Sequence, residues 1–284
     1  MPRSAWMRVS GRQIFSMNSQ KTFSRVFSCE YFPPKDDDAR AKLHDTTHEL
    51  ATLKPKYFSV TYGAAGSTQT GTYETVKWIK EQGLDAAPHI SCIGATRGSI
   101  IDQLKAYQAL GIKRIVALGG DLPSGMASPG EFRYAYQLVE LIRQATGDWF
   151  HIEVAAYPEV HPRAATAEDD LKHFKQKVEC GASAALTQYF YNVDAYVRFV
   201  EECEQLGLRL PIVPGIMLIT NYKQLARFSD ACGAEIPRWI RKRLEGFGDD
   251  LESLRAFGLD VMTQLCEKLL AAGAPGLHFY TMNR

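Results

Sequence analysis

The chain has 284 residues, 45% hydrophobic and 23% charged, with a net charge of +1. That composition is ordinary for a globular protein, and nothing in its charge suggests a nucleic-acid partner or an anionic membrane surface. No apolar run reaches the roughly 18 residues of a spanning helix, and a chain this long can bury about three quarters of its unfolded surface in one core.

Residues 1–29 carry Arg3, Arg8, Arg12, Lys21 and Arg25 but no acid before Glu30. The stretch has the flavour of an organelle-targeting peptide. The plainer reading is a basic leader, residues 1–25, poorly ordered or helical at the base of the fold, with Met17 as an alternative start. Residues 26–284 then form a single domain. Six cysteines (Cys29, Cys92, Cys180, Cys203, Cys232, Cys266) are scattered without a CxxC pair. They read as reduced thiols, largely in the core, in a reducing, cytoplasmic compartment.

Beyond the leader, short β-rich runs alternate with amphipathic stretches. The runs are VFSCEYF (26–32), YFSVTYG (57–63), AAPHISCIG (86–94), RIVALGG (114–120), HIEVAAY (151–157), AALTQYF (184–190), PIVPGIM (211–217) and GLHFYTM (276–282). The helical stretch DDDARAKLHDTTHELATL opens on acids that suit a helix N-terminus. SIIDQLKAYQALG, AEDDLKHFKQKVECG and VDAYVRFVEECEQLG each stop at a glycine. Eight strands with helical crossovers imply parallel pairing and closure into a (β/α)₈ barrel. A doubly wound open sheet competes, but no GxGxxG follows the first strand. The helical region DDLESLRAFGLDVMTQLCEKLLAAG precedes the last strand, so the barrel apparently lacks the helix that should follow its eighth strand.

In such a barrel, chemistry gathers where strands end. Glu30 lies within the first strand among apolar and aromatic neighbours, where a charge costs several kcal/mol unless it is paired, protonated or used. Thr61-Tyr62, His89, Gly119-Gly120-Asp121, Tyr157 to Pro162, Thr187-Gln188 and Asn283-Arg284 hold the other strand ends. His89 and Gln188 read equally well as satisfied core residues. Asp121 either projects from the GGDLPSG turn toward a ligand or caps that turn. His44 and His48 share one helix face at a spacing that could hold zinc, yet they lie far from the strand mouths and read as a solvated face. No GxxxxGK[ST] loop is present.

The blocks FSCEYFPPK, LKPKYFSVTYGAAGST, APHISCIGAT, ALGGDLPSG, VAAYPEVHP, TQYFYNVDAYVRF, PGIMLITN and HFYTMNR resemble the methylenetetrahydrofolate reductase family in its short bacterial form, from about Phe27 to Arg284. The resemblance implies a flavin barrel that carries FAD. It implies reduction of methylenetetrahydrofolate to methyltetrahydrofolate with electrons from NADH or NADPH by ping-pong kinetics, for methionine synthesis, in a dimer or tetramer. The regulatory domain of longer relatives would not fit this length.

By the same resemblance, Glu30 is the acid that protonates the leaving ring nitrogen, and its apolar setting would keep it protonated near neutral pH. Asp121 meets the pterin near the flavin. Gln188, Gln224, Phe228, Arg284 and Thr61 contact folate or nicotinamide. Tyr62, Ala64, His89, Gly119, Gly120, Asp121, Tyr134, Ala135, Tyr157, His161, Ala164, Asp170, His173, Gln176 and Lys177 match flavin positions, with His161 and Lys177 as pyrophosphate partners. No metal is implied.

The chain departs from the family pattern at four places. Gly119 stands where an arginine is usual. Gln69-Thr70-Gly71 replaces a more charged loop, and Leu218 replaces a proline. The chain stops at Arg284 where relatives continue into a helix. Two other readings remain: a catalytically impaired flavin- or folate-binding barrel, and a flavin barrel of the proline-dehydrogenase kind, for which no amino-acid carboxylate clamp is found.

Overall fold

Each β-rich run seen in the sequence becomes a strand, and every strand pairs in parallel with its neighbours. The computed structural model describes residues 17–62, 69–120 and 130–284. In chain order the elements are β1 (Val26–Tyr31), α1 (Asp37–Ala51), β2 (Phe58–Val60), α2 (Gln69–Glu81), β3 (Ala86–Ser91), α3 (Arg97–Ala109), β4 (Arg114–Leu118) and α4 (Ala135–Thr146). Then come β5 (His151–Ala156), α5 (Ala167–Glu179), β6 (Ala184–Thr187), α6 (Val193–Gln205), β7 (Ile212–Val213), β8 (Gly215–Met217), α7 (Tyr222–Cys232), α8 (Arg238–Phe247), α9 (Leu251–Ala272) and β9 (Gly276–Tyr280).

The sheet runs β7-β6-β5-β4-β3-β2-β1-β9-β8. Its two end strands are halves of one interrupted strand, so the sheet closes through the chain itself into a (β/α)₈ barrel. The run PIVPGIM was expected as one strand and is broken at Pro214. Proline has no N–H to give a ladder. Its carbonyl still accepts from His278 N at 3.0 Å. β7 pairs with β6, and β8 turns to pair with β9. Thr187 pins this seam: its Oγ1 accepts from Gly215 N at 2.9 Å and its carbonyl accepts from the Tyr280 hydroxyl at 2.7 Å.

Helices start where side chains cap them. Asp36, Thr96, Thr166, Asn192, Asn221 and Asp250 each accept from a backbone N–H of the first turn, which satisfies an otherwise orphaned donor. Gln69-Thr70-Gly71, read as loop, opens α2 instead. Each helix buries one stripe against the sheet. On α6 the stripe is Tyr196, Val197, Phe199, Val200 and Cys203, each large apolar side chain contributing about 1.5–3 kcal/mol.

Residues 17–22 cover the N-terminal end of the barrel. Met17 is buried, and the buried Gln20 amide accepts from Ile212 N at 2.8 Å and donates to Leu210 O at 3.1 Å. At the opposite end the chain's last residues fold over the mouth. Thr281 Oγ1 donates to Glu30 O, and the Asn283 side chain brackets both backbone groups of Phe32. Among the described residues no helix follows β9. None of the described helices is long and apolar enough to cross a membrane. His44 and His48 sit on α1 against α2, where His44 stacks on Trp78 with ring centroids 3.6 Å apart.

Candidate active site

A cavity of about 770 Å³ opens at the C-terminal ends of the strands. Its wall takes Thr61 and Tyr62 from the end of β2, Leu118 from β4, Tyr157 and His161 from beyond β5, Gln188 and Tyr189 from beyond β6, Phe228 from α7 and Tyr280 from β9. Glu30 and His89 lie deeper, on β1 and β3.

Alternation along β1 turns Ser28 and Glu30 to the inside of the barrel. The register sets Ser28 beside His278 and Glu30 beside both Ser59 and Tyr280. Glu30 Oε2 then lies 3.2 Å from His278 Nε2, within hydrogen-bond reach. It lies 3.3 Å from His89 Nε2, in ion-pair contact, though that nitrogen is not aligned for a hydrogen bond. Ser59 Oγ is 3.5 Å away. His278 Nδ1 in turn is 2.7 Å from Ser28 Oγ.

This arrangement corrects the expectation of an apolar, protonated Glu30. Burial does push its pKa up, but the nearby imidazoles of His89 and His278 and the hydrogen bond with His278 outweigh burial and draw it down to about 2. Glu30 is therefore held as a carboxylate. The strand reading of FSCEYF could not show this, because the two histidines lie 59 and 248 residues further along the chain.

The β4–β5 side gathers the residues matched to the flavin. Tyr134 N-caps α4, stacks on His173 with centroids 4.8 Å apart, and precedes Ala135, which packs beneath Gly119. His173 Nδ1 is 3.1 Å from Gln176 Oε1. Tyr157 meets His161 edge to face at 4.4 Å. His161 N donates to Asp170 Oδ2 at 2.8 Å, and His161 Nδ1 accepts from Arg163 N at 3.0 Å. Ala164 N closes the turn onto His161 O. The loop is strained at Val160, a β-branched residue with φ 73°, a conformation such residues rarely adopt. Lys177 is buried and its ammonium donates to Ala155 O. Burial lowers its pKa to about 8, against a smaller opposing effect of Asp170.

Other expected residues are placed less centrally. Thr61 N–H donates to Tyr31 O, and Tyr62 OH accepts from Gln69. Gln188 Oε1 accepts from Tyr189 N at 3.0 Å. Gln224 is in the first turn of α7 and Arg284 reaches Thr220 Oγ1 at 3.4 Å; both lie outside the cavity lining. Asp121 and Ala64 lie outside the described residues. Sequence reasoning missed Ser28, Ser59, His278, Arg163 and Tyr280. A histidine inside the buried run GLHFY was a usable signal, of the same kind that singled out His89. Arg163 carried none, because only the fold brings it to Gly120 O, to which its Nη2 donates at 3.2 Å.

The family model of methylenetetrahydrofolate reductase matches residues 16–284. The chain belongs to the methylenetetrahydrofolate reductase family. It is 41% identical over 258 residues to the 5,10-methylenetetrahydrofolate reductase of Salmonella typhimurium, covering 90% of this chain and 86% of that protein. The Escherichia coli protein of the same name is 40% identical over the same span. A probable methylenetetrahydrofolate reductase (NADH) from Oryza sativa is 39% identical, with 91% of this chain covering 46% of that longer protein. Among solved structures, a protein from Clostridium thermocellum that binds two copies of 5-methyl-5,6,7,8-tetrahydrofolic acid superposes with a TM-score of 0.66 over 92% of this chain and 90% of that one, at 17% identity. That likeness shows the shared barrel.

The residues of this reductase-family chain fit a flavin dinucleotide at three points. The buried ammonium of Lys177 offers positive charge, and the imidazole of His161, whose Nδ1 accepts from Arg163 N, offers an Nε2–H donor for an anionic pyrophosphate. His89 Nε2 is a buried nitrogen without a hydrogen-bond partner at the cavity floor. The backbone at Gly120 is held so tightly that a Cβ would meet Ser91 Oγ at 2.1 Å, so only glycine lets the chain pass there.

Proposed function

We propose that the chain is a flavin-dependent reductase that converts 5,10-methylenetetrahydrofolate to 5-methyltetrahydrofolate, with a nicotinamide nucleotide as electron source. The observation that carries the reading is the Glu30–His278–His89 cluster at the floor of the cavity, in a chain whose family is named for this reaction. Opening the five-membered ring of the substrate breaks a C–N bond, and the departing nitrogen must gain a proton. Glu30 and His278 would hold that proton between them, at the side of the cavity lined by Glu30. The carboxylate left behind faces the iminium that remains and steadies its positive charge. Bound flavin supplies the hydride that turns this iminium into the methyl group.

Lys177, His161, Tyr134 and His173 would hold the flavin along the β4–β5 wall. Asp121, Gln188 and Phe228 would orient folate and nicotinamide in turn over one face, which makes the kinetics ping-pong. FAD is the flavin proposed, because two separate donors, the Lys177 ammonium and the His161 ring, suit a pyrophosphate rather than a single phosphate.

The test is spectroscopic. Purified protein should be yellow, bleach anaerobically with NADH or NADPH, and regain the oxidised spectrum when methylenetetrahydrofolate is added. Bleaching without reoxidation by folate would favour a different flavin barrel. A colourless protein that takes up no FAD would end the proposal.

A further inference from the structure

The wall of the cavity carries a single permanent positive charge. Among the described residues that line it, Arg163 is the one lysine or arginine. Lys177 is buried outside that lining, with its ammonium donating to Ala155 O. His161 lines the cavity but brings no charge. Its Nδ1 accepts from Arg163 N at 3.0 Å, and a backbone N–H can only donate. The ring is therefore neutral, with its hydrogen on Nε2. The pyrophosphate of a dinucleotide is a dianion, and such a group needs both fixed donors and opposite charge.

The loop that delivers Arg163 is clamped from several sides. Val160 N donates to Tyr157 O at 3.2 Å and Ala164 N to His161 O at 2.9 Å. Asp170 of α5 accepts from His161 N, and Glu159 Oε2 accepts from Glu235 N at 2.9 Å. These contacts hold the left-handed Val160 in place, where a free loop would relax. From this frame the Arg163 side chain crosses to the end of β4, and its Nη2 donates to Gly120 O at 3.2 Å. Gly119, one residue before that carbonyl, has no side chain to set there, and it stands where the family pattern has an arginine. The guanidinium reaches the same strand end from another loop.

We infer that Arg163 binds the phosphates of the flavin dinucleotide and supplies, at the end of β4, the positive charge that Gly119 does not. This role rests on the flavin reading above and adds to it a residue outside the family-matched set. A guanidinium presents its N–H donors in a planar fork that suits phosphate oxygens two at a time, whereas a lysine would keep the charge without the fork. The anchor on Gly120 O fixes where that fork lies, and the neighbouring His161 ring adds a neutral donor. Replacing the side chain leaves the Arg163 N–H where it is, so His161 keeps its tautomer and the change isolates the guanidinium. Arg163 is exposed, so its replacement should leave the core undisturbed.

The experiment titrates protein stripped of flavin with FAD and, separately, with riboflavin, which has no phosphate, and follows flavin fluorescence. Arg163→Gln should bind FAD about tenfold more weakly, the lower end of what a charge-assisted hydrogen bond supplies, because the residue is open to solvent. It should bind riboflavin as the parent does. Its FAD affinity should also fall less than the parent's between low and high salt. Arg163→Lys should recover part of the loss. Urea midpoints check that each variant folds. An FAD affinity equal to the parent's in Arg163→Gln, or equal losses for FAD and riboflavin, overturns the inference. Where riboflavin binds too weakly to titrate, salt dependence decides, and a slope matching the parent's overturns it. A parent that takes up no FAD ends the flavin reading and this role together. A parent that takes up FAD, but whose reduced flavin ignores methylenetetrahydrofolate, ends the reductase reading alone, and the titrations still decide this one.

Discussion

Glu30 and His278 sit on adjacent parallel strands with Oε2 and Nε2 3.2 Å apart, although 248 residues separate them in the chain. The pairing explains how a carboxylate tolerates a barrel interior. It is neither apolar-bound nor exposed, but shares its charge with two imidazoles.

Replacing Glu30 by glutamine should leave the flavin spectrum and bleaching by nicotinamide nucleotide intact. Folate-dependent reoxidation should fall by about 10²–10⁴-fold, the usual worth of a general acid. Anaerobic stopped-flow separates the two half-reactions. Reoxidation at the parental rate would remove Glu30 from the mechanism.

The same carboxylate predicts an acid limb in stability. Its folded pKa is drawn down to about 2, below the ordinary glutamate value of 4.5. The folded state therefore binds fewer protons than the unfolded one between these values. Its stabilisation is present above pH 4.5 and is lost as pH falls toward 2, a few kcal/mol at most. Denaturant midpoints measured between pH 5 and 2 should drop more steeply for the parent than for Glu30→Gln.

Lys177 predicts opposite effects on fold and cofactor. Its folded pKa is about 8 against 10.5 for an open lysine, so the buried ammonium strains the flavin-free protein. Lys177→Met should raise the stability of that form at pH 7 by about 1–3 kcal/mol. It should also weaken FAD binding by roughly 10–150-fold, the worth of one charge-assisted hydrogen bond. Calorimetry of the flavin-free protein and fluorescence titration with FAD read the two effects separately.

The two adjacent glycines that follow β4 should respond differently. Among the described residues a Cβ at Gly119 would meet only Ala135, at an ordinary 3.9 Å, whereas at Gly120 it would strike Ser91 Oγ at 2.1 Å with φ at 83°. Gly119→Arg should fold normally, within about 0.5 kcal/mol of the parent. Gly120→Ala should lose several kcal/mol or fail to fold. Arg163 donates across this strand end to Gly120 O. Arg163→Gln should therefore weaken FAD binding, and adding Gly119→Arg should restore it. Urea midpoints and FAD titrations on the three variants give the comparison.

Gly215 tests the seam of the barrel. A Cβ there would lie 2.2 Å from Thr187 O and 2.6 Å from the Tyr280 ring. Gly215→Ala must push β8 from β6 or displace Tyr280, and should cost more than about 3 kcal/mol by overpacking. An unchanged thermal midpoint would show that the seam has slack the structure does not suggest.

Much of the barrel was legible beforehand. Eight apolar β-runs and glycine-stopped helices state their own geometry, because periodicity and capping act within a few residues. Family blocks at the strand ends brought Glu30, Gln188, Tyr157 and His161 to one mouth in advance. The break at Pro214 was misread because proline's missing N–H matters only once a neighbour needs it. The protonation of Glu30 was misread because local sequence shows the tyrosines and phenylalanines flanking it, while the barrel's alternation turns those outward.

By itself, then, the order of amino acids determined the strand–helix alternation, the parallel closure and the family, since these follow from short-range pattern and from blocks that survive intact. Only the folded barrel decided which charges meet. The buried polar interior pairs Glu30 of β1 with His278 of β9, and Glu153 of β5 with Arg114 of β4 and with Tyr57 just before β2. Its energies depend on distances near 3 Å inside a medium that screens poorly, and no spacing along the chain encodes those.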